Sequence, residues 1–261
     1  MGKDTYQPDK VLIFDIKGPF AHFRKFYTNS SSLSYTAPPR TVLAGLIAGL
    51  LGMPSEHHTT DKSKIYYEIL KHESCFISVS LRARVRKIMQ TINYSYSKTQ
   101  NKEVSFSKHS QIPLEILTPI NRNNIRYRVY FSIEENIYDD LKKRLVDERF
   151  VYPPFLGISE FLASVDFIGE GSMSVLFSTT ELHSICKLDF VEEFINNGEF
   201  QYMTEKMPTA FSNERVPEKP DDYVVEVKGR SIKARFKEEG IFYSVKYKEN
   251  GIDVIENISP M

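Results

Sequence analysis

The chain has no tryptophan and only two cysteines, Cys75 and Cys186, among 261 residues. Two thiols without metal spacing exclude a disulfide scaffold and a zinc ribbon, and fit a reducing compartment. The longest apolar run, Thr41 to Pro54, falls short of the roughly 20 residues a bilayer span needs. No signal-peptide pattern precedes Asn29 or Asn93, which sit in glycosylation-type triplets. The reading is a cytoplasmic protein with no membrane partner. Net charge is also lacking: 34 basic residues balance 34 acidic ones. A phosphate-binding loop of the Walker type is missing, as is any repeat. No cofactor is expected. His57, His58 and Asp61 lack a fixed ligand spacing, so no metal is expected either.

Neutrality in sum hides a division along the chain. Lys17, Arg24, Lys25 and Arg40 fall in a stretch without acids. Arg82, Arg84, Arg86, Lys87, Lys98, Lys102 and Lys108 face only Glu103. Acids gather at Glu134 to Glu148 and Asp189 to Glu199. Such a chain can present one basic and one acidic face.

Periodicity gives the elements. Val11 to Asp15 reads as a buried strand. Phe20 to Pro39 is a polar and aromatic loop of a length that usually signals function. Arg40 to Met53 reads as a helix behind Pro38-Pro39, opened or capped by Thr41, with Leu43, Leu46, Ile47, Leu50 and Leu51 on one face. Cys75 to Ile92 alternates as a strand carrying Arg82, Arg84 and Arg86 on one face. Asn93 to Ser110 reads as a hairpin tip. Ile112 to Leu117 and Arg126 to Ile133 read as strands, and Ile137 to Leu145 as a helix with its charges ordered to suit the helix dipole. Phe161 to Ile168 and Ser172 to Ser178 read as two strands around Gly169 and Gly171.

This order is the ferredoxin-like, RNA-recognition pattern. The fold class expected is α+β: a ferredoxin-like domain over residues 1–180 with a basic hairpin insertion at about 82–111, then a linker and β-rich region over 181–261. Glu205 to Asp222, with three prolines, reads as the linker or a surface loop. Four short strands follow, with turns at Gly229, Glu239-Gly240 and Asn250-Gly251.

The basic hairpin carries the chemistry. Its cations could track a phosphate backbone, and Tyr94, Tyr96 and Phe106 could stack on bases. The bland alternative is a charged sheet edge. Tyr35, Lys108 and His109 could together cleave RNA without metal, one group activating a 2′-hydroxyl and another protonating the leaving oxygen; the alternative is that Lys108 and His109 only touch phosphate.

Phe23 to Pro54, FRKFYTNSSSLSYTAPPRTVLAGLIAGLLGMP, closely resembles the N-terminal signature of the fifth Cas family, subunits of the type I CRISPR effector Cascade in the RAMP superfamily. His109 to Leu117 and Phe155 to Ala163 resemble the family too, and the overall flavour is closest to the type I-B branch. The resemblance covers about Val11 to Ser178. It implies a non-catalytic subunit that caps the 5′ handle of the crRNA. Handle contacts would come from Phe23, Arg24, Tyr27, Thr28, Asn29, Ser30, Ser31, Tyr35 and Arg40. A hairpin thumb, about Arg82 to Gln111, would add Arg82, Arg84, Arg86, Lys87, Lys98, Lys102, Lys108, His109 and Gln111. Implied partners are crRNA, the backbone subunit of the seventh Cas family and the large subunit of the eighth, with target DNA near the protospacer-adjacent motif as a further contact. In the type I-C branch the corresponding subunit cuts precursor RNA, which would call on Tyr35, Lys108 and His109.

Overall fold

The computed structural model describes residues 6–28, 32–100, 103–121, 123–195, 198–212 and 216–261; the side chains of 94–110 and of 219 lie outside that description. The chain is mostly β, 48% strand and 15% helix. Strand β1 (Lys10–Gly18) sits inside a six-stranded antiparallel sheet with β4 (Phe76–Leu81), β7 (Ile125–Ser132), β8 (Ser164–Leu176), β15 (Phe242–Glu249) and β16 (Ile252–Ile258), in the order β16-β15-β8-β1-β7-β4. Two strands from the last third of the sequence are therefore part of the same sheet as β1.

The two faces of β1 explain its buried run. Leu12, Phe14 and Ile16 pack into the core shared with α1 (Arg40–Leu51) and α3 (Glu135–Asp147). Val11 and Ile13 point the other way, into a second core with Phe76, Tyr130, Val245, Tyr247 and Ile258. Alternation places Asp15 on that second face, where it is fully buried and paired with Arg128 at 2.8 Å. Arg128 also reaches Glu249 at 2.6 Å and the Tyr247 hydroxyl at 2.6 Å. The Tyr247 hydroxyl donates to Glu256.

Glu256 shows how far the sheet curls. It lies on β16, at one edge, yet it accepts from Arg82, just beyond β4 at the other edge, at 2.5 Å. The β4 edge is not left open. The Met261 amide donates to the Ile77 carbonyl and the Ile185 amide to that of Val79. The inner face of the sheet is thus filled with side chains, apolar at one end and charged at the other.

Several expectations change. The strand read from Cys75 to Ile92 breaks at 82–84, and β5 (Val85–Gln100) leaves the sheet to pair with β6 (Glu103–Pro119). The segment read as a hairpin tip is itself paired, as far as Gln100 opposite Glu103. The two strands read around Gly169 are one, β8, with a bulge where β1 steps from Ile13 to Phe14. Thr41 does not cap α1: Pro39 holds the N-cap position and no side chain caps it. The linker read at Glu205 to Asp222 is a hairpin of β12 (Tyr202–Phe211) and β13 (Pro217–Glu226). Its prolines fit because Pro208 lies opposite Pro220, so neither strand loses a ladder bond the other needs. Among the described residues, no helix is long and apolar enough to cross a membrane.

Candidate nucleic-acid interface

The loop after β1 is laid along the base of β6. Ala21 and Leu117 exchange backbone bonds at 3.2 and 2.8 Å, and Ser32 does so with Pro113 and Glu115 at 3.0 and 2.9 Å. His22 fills the gap between them. Its Nδ1 donates to the Glu115 carbonyl at 2.7 Å, which leaves Nε2 to accept from the Ser32 hydroxyl at 2.9 Å. Burial pulls the His22 pKa below its ordinary value, only partly offset by the Glu115 bond. From the other side Gly157 presses on it. Gly157 has φ of 96°, and a Cβ there would lie 1.8 Å from the His22 carbonyl oxygen.

The loop returns through β2 (Phe23–Arg24) and β3 (Ser34–Tyr35), which pair with each other. Behind them stands Glu205, from β12 and only 2% exposed. Its carboxylate accepts from the Thr36 amide at 2.7 Å and pairs with Lys25 and with Lys87, each at 3.2 Å. Lys87 also donates to the Ser34 carbonyl at 2.7 Å. Glu115 accepts from the Ser34 amide at 2.8 Å. One buried carboxylate therefore joins the loop, the foot of β5 and the C-terminal hairpin. Burial would lower the Lys25 pKa, but the charge of Glu205 outweighs it and the net shift is upward.

The residues expected to contact RNA divide into groups. Phe23 is 2% exposed and packs edge-on against Tyr127, and Tyr35 is 1% exposed with its hydroxyl donating to the Lys206 carbonyl at 2.7 Å. Both are core residues, because β2 and β3 turn them inward. Arg40 is also buried, bonded to the Leu70 and Cys75 carbonyls at 2.9 and 3.3 Å. Arg82 and Lys87 are held by Glu256 and Glu205. Arg84, Arg86 and Gln111 are exposed, and among the described residues neither arginine forms an ion pair; Arg86 makes one bond, to Thr118 at 3.3 Å. Arg24 is exposed and Thr28 folds back on the Lys25 carbonyl at 2.9 Å. Tyr27 is 51% exposed, against the ring of Phe26, itself 41% exposed. Asn29, Ser30, Ser31 and Lys102 lie outside the described residues. Lys98, Lys108 and His109 stand on described strands, but their side chains do not belong to the description.

The three groups named for cleavage are spread out. Ser34, next to Tyr35, is tied to Glu115 of β6, and His109 is six residues further along that strand, about 20 Å at the rise of an extended chain. Burial also raises the Tyr35 pKa, away from any role as a base. His22, Glu205 and Phe26 were not singled out from the sequence. Only the basic, aromatic setting of Phe26 offered a signal.

No family model matches the sequence, and no curated protein does. Among solved structures, the crystal structure of a CRISPR protein from Archaeoglobus fulgidus superposes with a TM-score of 0.53 at 14% identity, over 96% of this chain and 100% of the other. A chain titled CRISPR RNA-guided surveillance complex reaches 0.47 at 10% identity, over 87% and 91%, too loose a superposition to add to the first. This chain shares its fold with a CRISPR protein of known structure.

Proposed function

We propose that this chain is a non-catalytic crRNA-binding subunit of a CRISPR interference complex, one that caps the 5′ handle. The observation that carries the reading is the β5–β6 hairpin. Its 16- and 17-residue strands extend about 50 Å at roughly 3.3 Å per residue, with Arg84 and Arg86 unpaired at its foot. Beside that foot lies the exposed pair Phe26 and Tyr27, next to Arg24. Cations for phosphates and rings for splayed bases are what single-stranded RNA recognition uses.

The order β8-β1-β7-β4 within the sheet is that of a ferredoxin-like domain, which supports the RAMP reading. The open sheet face on which an RNA-recognition domain stacks bases is filled in this chain, so the loop and the hairpin take that role. The resemblance from Phe23 to Pro54 supports the fifth Cas family and the type I-B branch, with backbone and large subunits as neighbours. The separation of Tyr35 from His109 favours a subunit that holds RNA over one that cuts it.

The test is co-purification of the tagged chain from cells that express the other subunits and a CRISPR array. The wild type should bring down one RNA of crRNA length. Arg84→Glu with Arg86→Glu should lower the RNA recovered at least tenfold with the melting temperature unchanged. Equal recovery in that variant would sink the proposal.

A further inference from the structure

Arg40 poses a problem that the RNA reading does not address. It is 3% exposed, yet its guanidinium meets only two carbonyls and the Cys75 sulfur, and its Nε has no partner. Among the described residues no carboxylate pairs with it. A buried cation normally has a counter-charge. Arg40 is also the first residue of α1, a twelve-residue helix with no acid in its first turn and no side-chain cap, so the positive end of the helix dipole adds to the same spot. Burial and the charge of Arg40 both hold His72 below its ordinary pKa.

These groups border a cavity of about 550 Å³ lined by Arg40, Thr41, Tyr66, Tyr67, Phe211 and Glu218, among others. Small-molecule sites run from roughly 300 to 1,000 Å³. One lysine in its wall, Lys187, is already neutralised by Asp221 at 2.6 Å. Tyr66 and Tyr67 stand edge to face, with ring centroids 5.5 Å apart. A bare anion would use the arginine and the helix end but not the tyrosines, and would be repelled by Glu218. A ligand with a phosphate at one end and a ring bearing amino groups at the other would use all of them.

We propose that this cavity binds a nucleoside 5′-monophosphate unit, its phosphate against Arg40 and the α1 N-terminus and its base beside Tyr66 and Tyr67. The unit can be a free nucleotide or the 5′-phosphorylated end of a strand. The full chain should be titrated calorimetrically with the four ribonucleoside monophosphates, with their nucleosides, with inorganic phosphate, and with a dinucleotide carrying or lacking a 5′-phosphate. At least one monophosphate or the phosphorylated dinucleotide should bind one to one, at least tenfold tighter than its form without phosphate and than phosphate alone; which of the two binds tells the sources apart. Arg40→Gln should weaken binding at least tenfold. Should that variant fail to fold, Tyr67→Ala, at the half-buried wall, should weaken it at least fivefold with an unchanged melting temperature. Arg84→Glu with Arg86→Glu should leave it unchanged, which separates this site from the hairpin. No phosphate-dependent binding by the wild type, or wild-type binding in every folded wall variant, overturns the proposal.

Discussion

Glu205→Ala is predicted to destabilise the chain by about 4 kcal/mol. Removing one member of a buried ion pair leaves an uncompensated charge, typically about 3–5 kcal/mol. Here Lys25 loses its ion-pair partner, with a side chain only 14% exposed. Lys87, 22% exposed, keeps the Ser34 carbonyl and Glu115 at 3.6 Å, which holds the estimate below the sum of two losses. The Thr36 amide is left without its acceptor, about 1–3 kcal/mol for a buried donor. Glu205→Gln keeps an acceptor for Thr36 and should lose roughly half as much. Urea unfolding followed by circular dichroism measures this, with an unchanged slope showing that the denatured state is not what moved. Lys25→Met in the Glu205→Ala background removes the stranded charge, so the double variant should be more stable than the sum of the single losses by at least about 1 kcal/mol. A loss below about 1 kcal/mol for Glu205→Ala, or strict additivity with Lys25→Met, would refute the reasoning.

Arg82→Met should lower stability by about 3 kcal/mol in the same assay and Arg84→Met by less than about 0.5, because only Arg82 has buried partners in Glu256 and Tyr130; RNA retention should fall in the reverse order. Gly157→Ala should destabilise by about 3 kcal/mol or more in thermal melts, since the added methyl meets the His22 carbonyl and the backbone there is left-handed. Acid should weaken the curled sheet. Bonding to Arg128 holds Glu249 below its ordinary value of 4.5, and for Glu256 the raising effect of burial is outweighed by Arg82, so it too lies low. Depressed carboxyl pKa values give stability that is complete above the unfolded value and lost as pH falls through the folded ones. The melting temperature should therefore drop steeply below about pH 4.5, and Glu256→Gln should flatten that drop while lowering the plateau.

What the sequence made legible was local. The apolar face of α1, its end at Gly52 in the left-handed conformation, β7, α3 and the Asn250-Gly251 turn follow from short-range pattern and turn chemistry. The basic hairpin was visible as a charge excess, but not its extent, because Ser, Lys and Asn in a strand that packs against little else look like a loop. The assignment of individual residues was harder. Alternation put Arg82 with Arg84 and Arg86, whereas the chain leaves the sheet between them. Phe23 and Tyr35 read as stacking rings because they sit among polar residues; the β2–β3 pairing that turns them inward depends on contacts with β6. Glu205 was hidden in an apparent linker, and its partner amide at Thr36 is 169 residues away, beyond any pattern in a window of sequence.

The curl of the sheet also bears on how the chain comes to be folded. The first strand made lies in the interior of the sheet, and the edge that faces Arg82 is supplied by residues 252–258. Residues 77 and 261 share a backbone bond. While the ribosome is still adding the last twenty residues, the face of β1 bearing Val11, Ile13 and Asp15 has no cover. Closure across such sequence separations is slow, milliseconds to seconds for domains dominated by distant contacts, and an uncovered strand is a template for wrong pairing. The nascent chain should thus depend on a chaperone, or on quick release, more than its size alone would suggest.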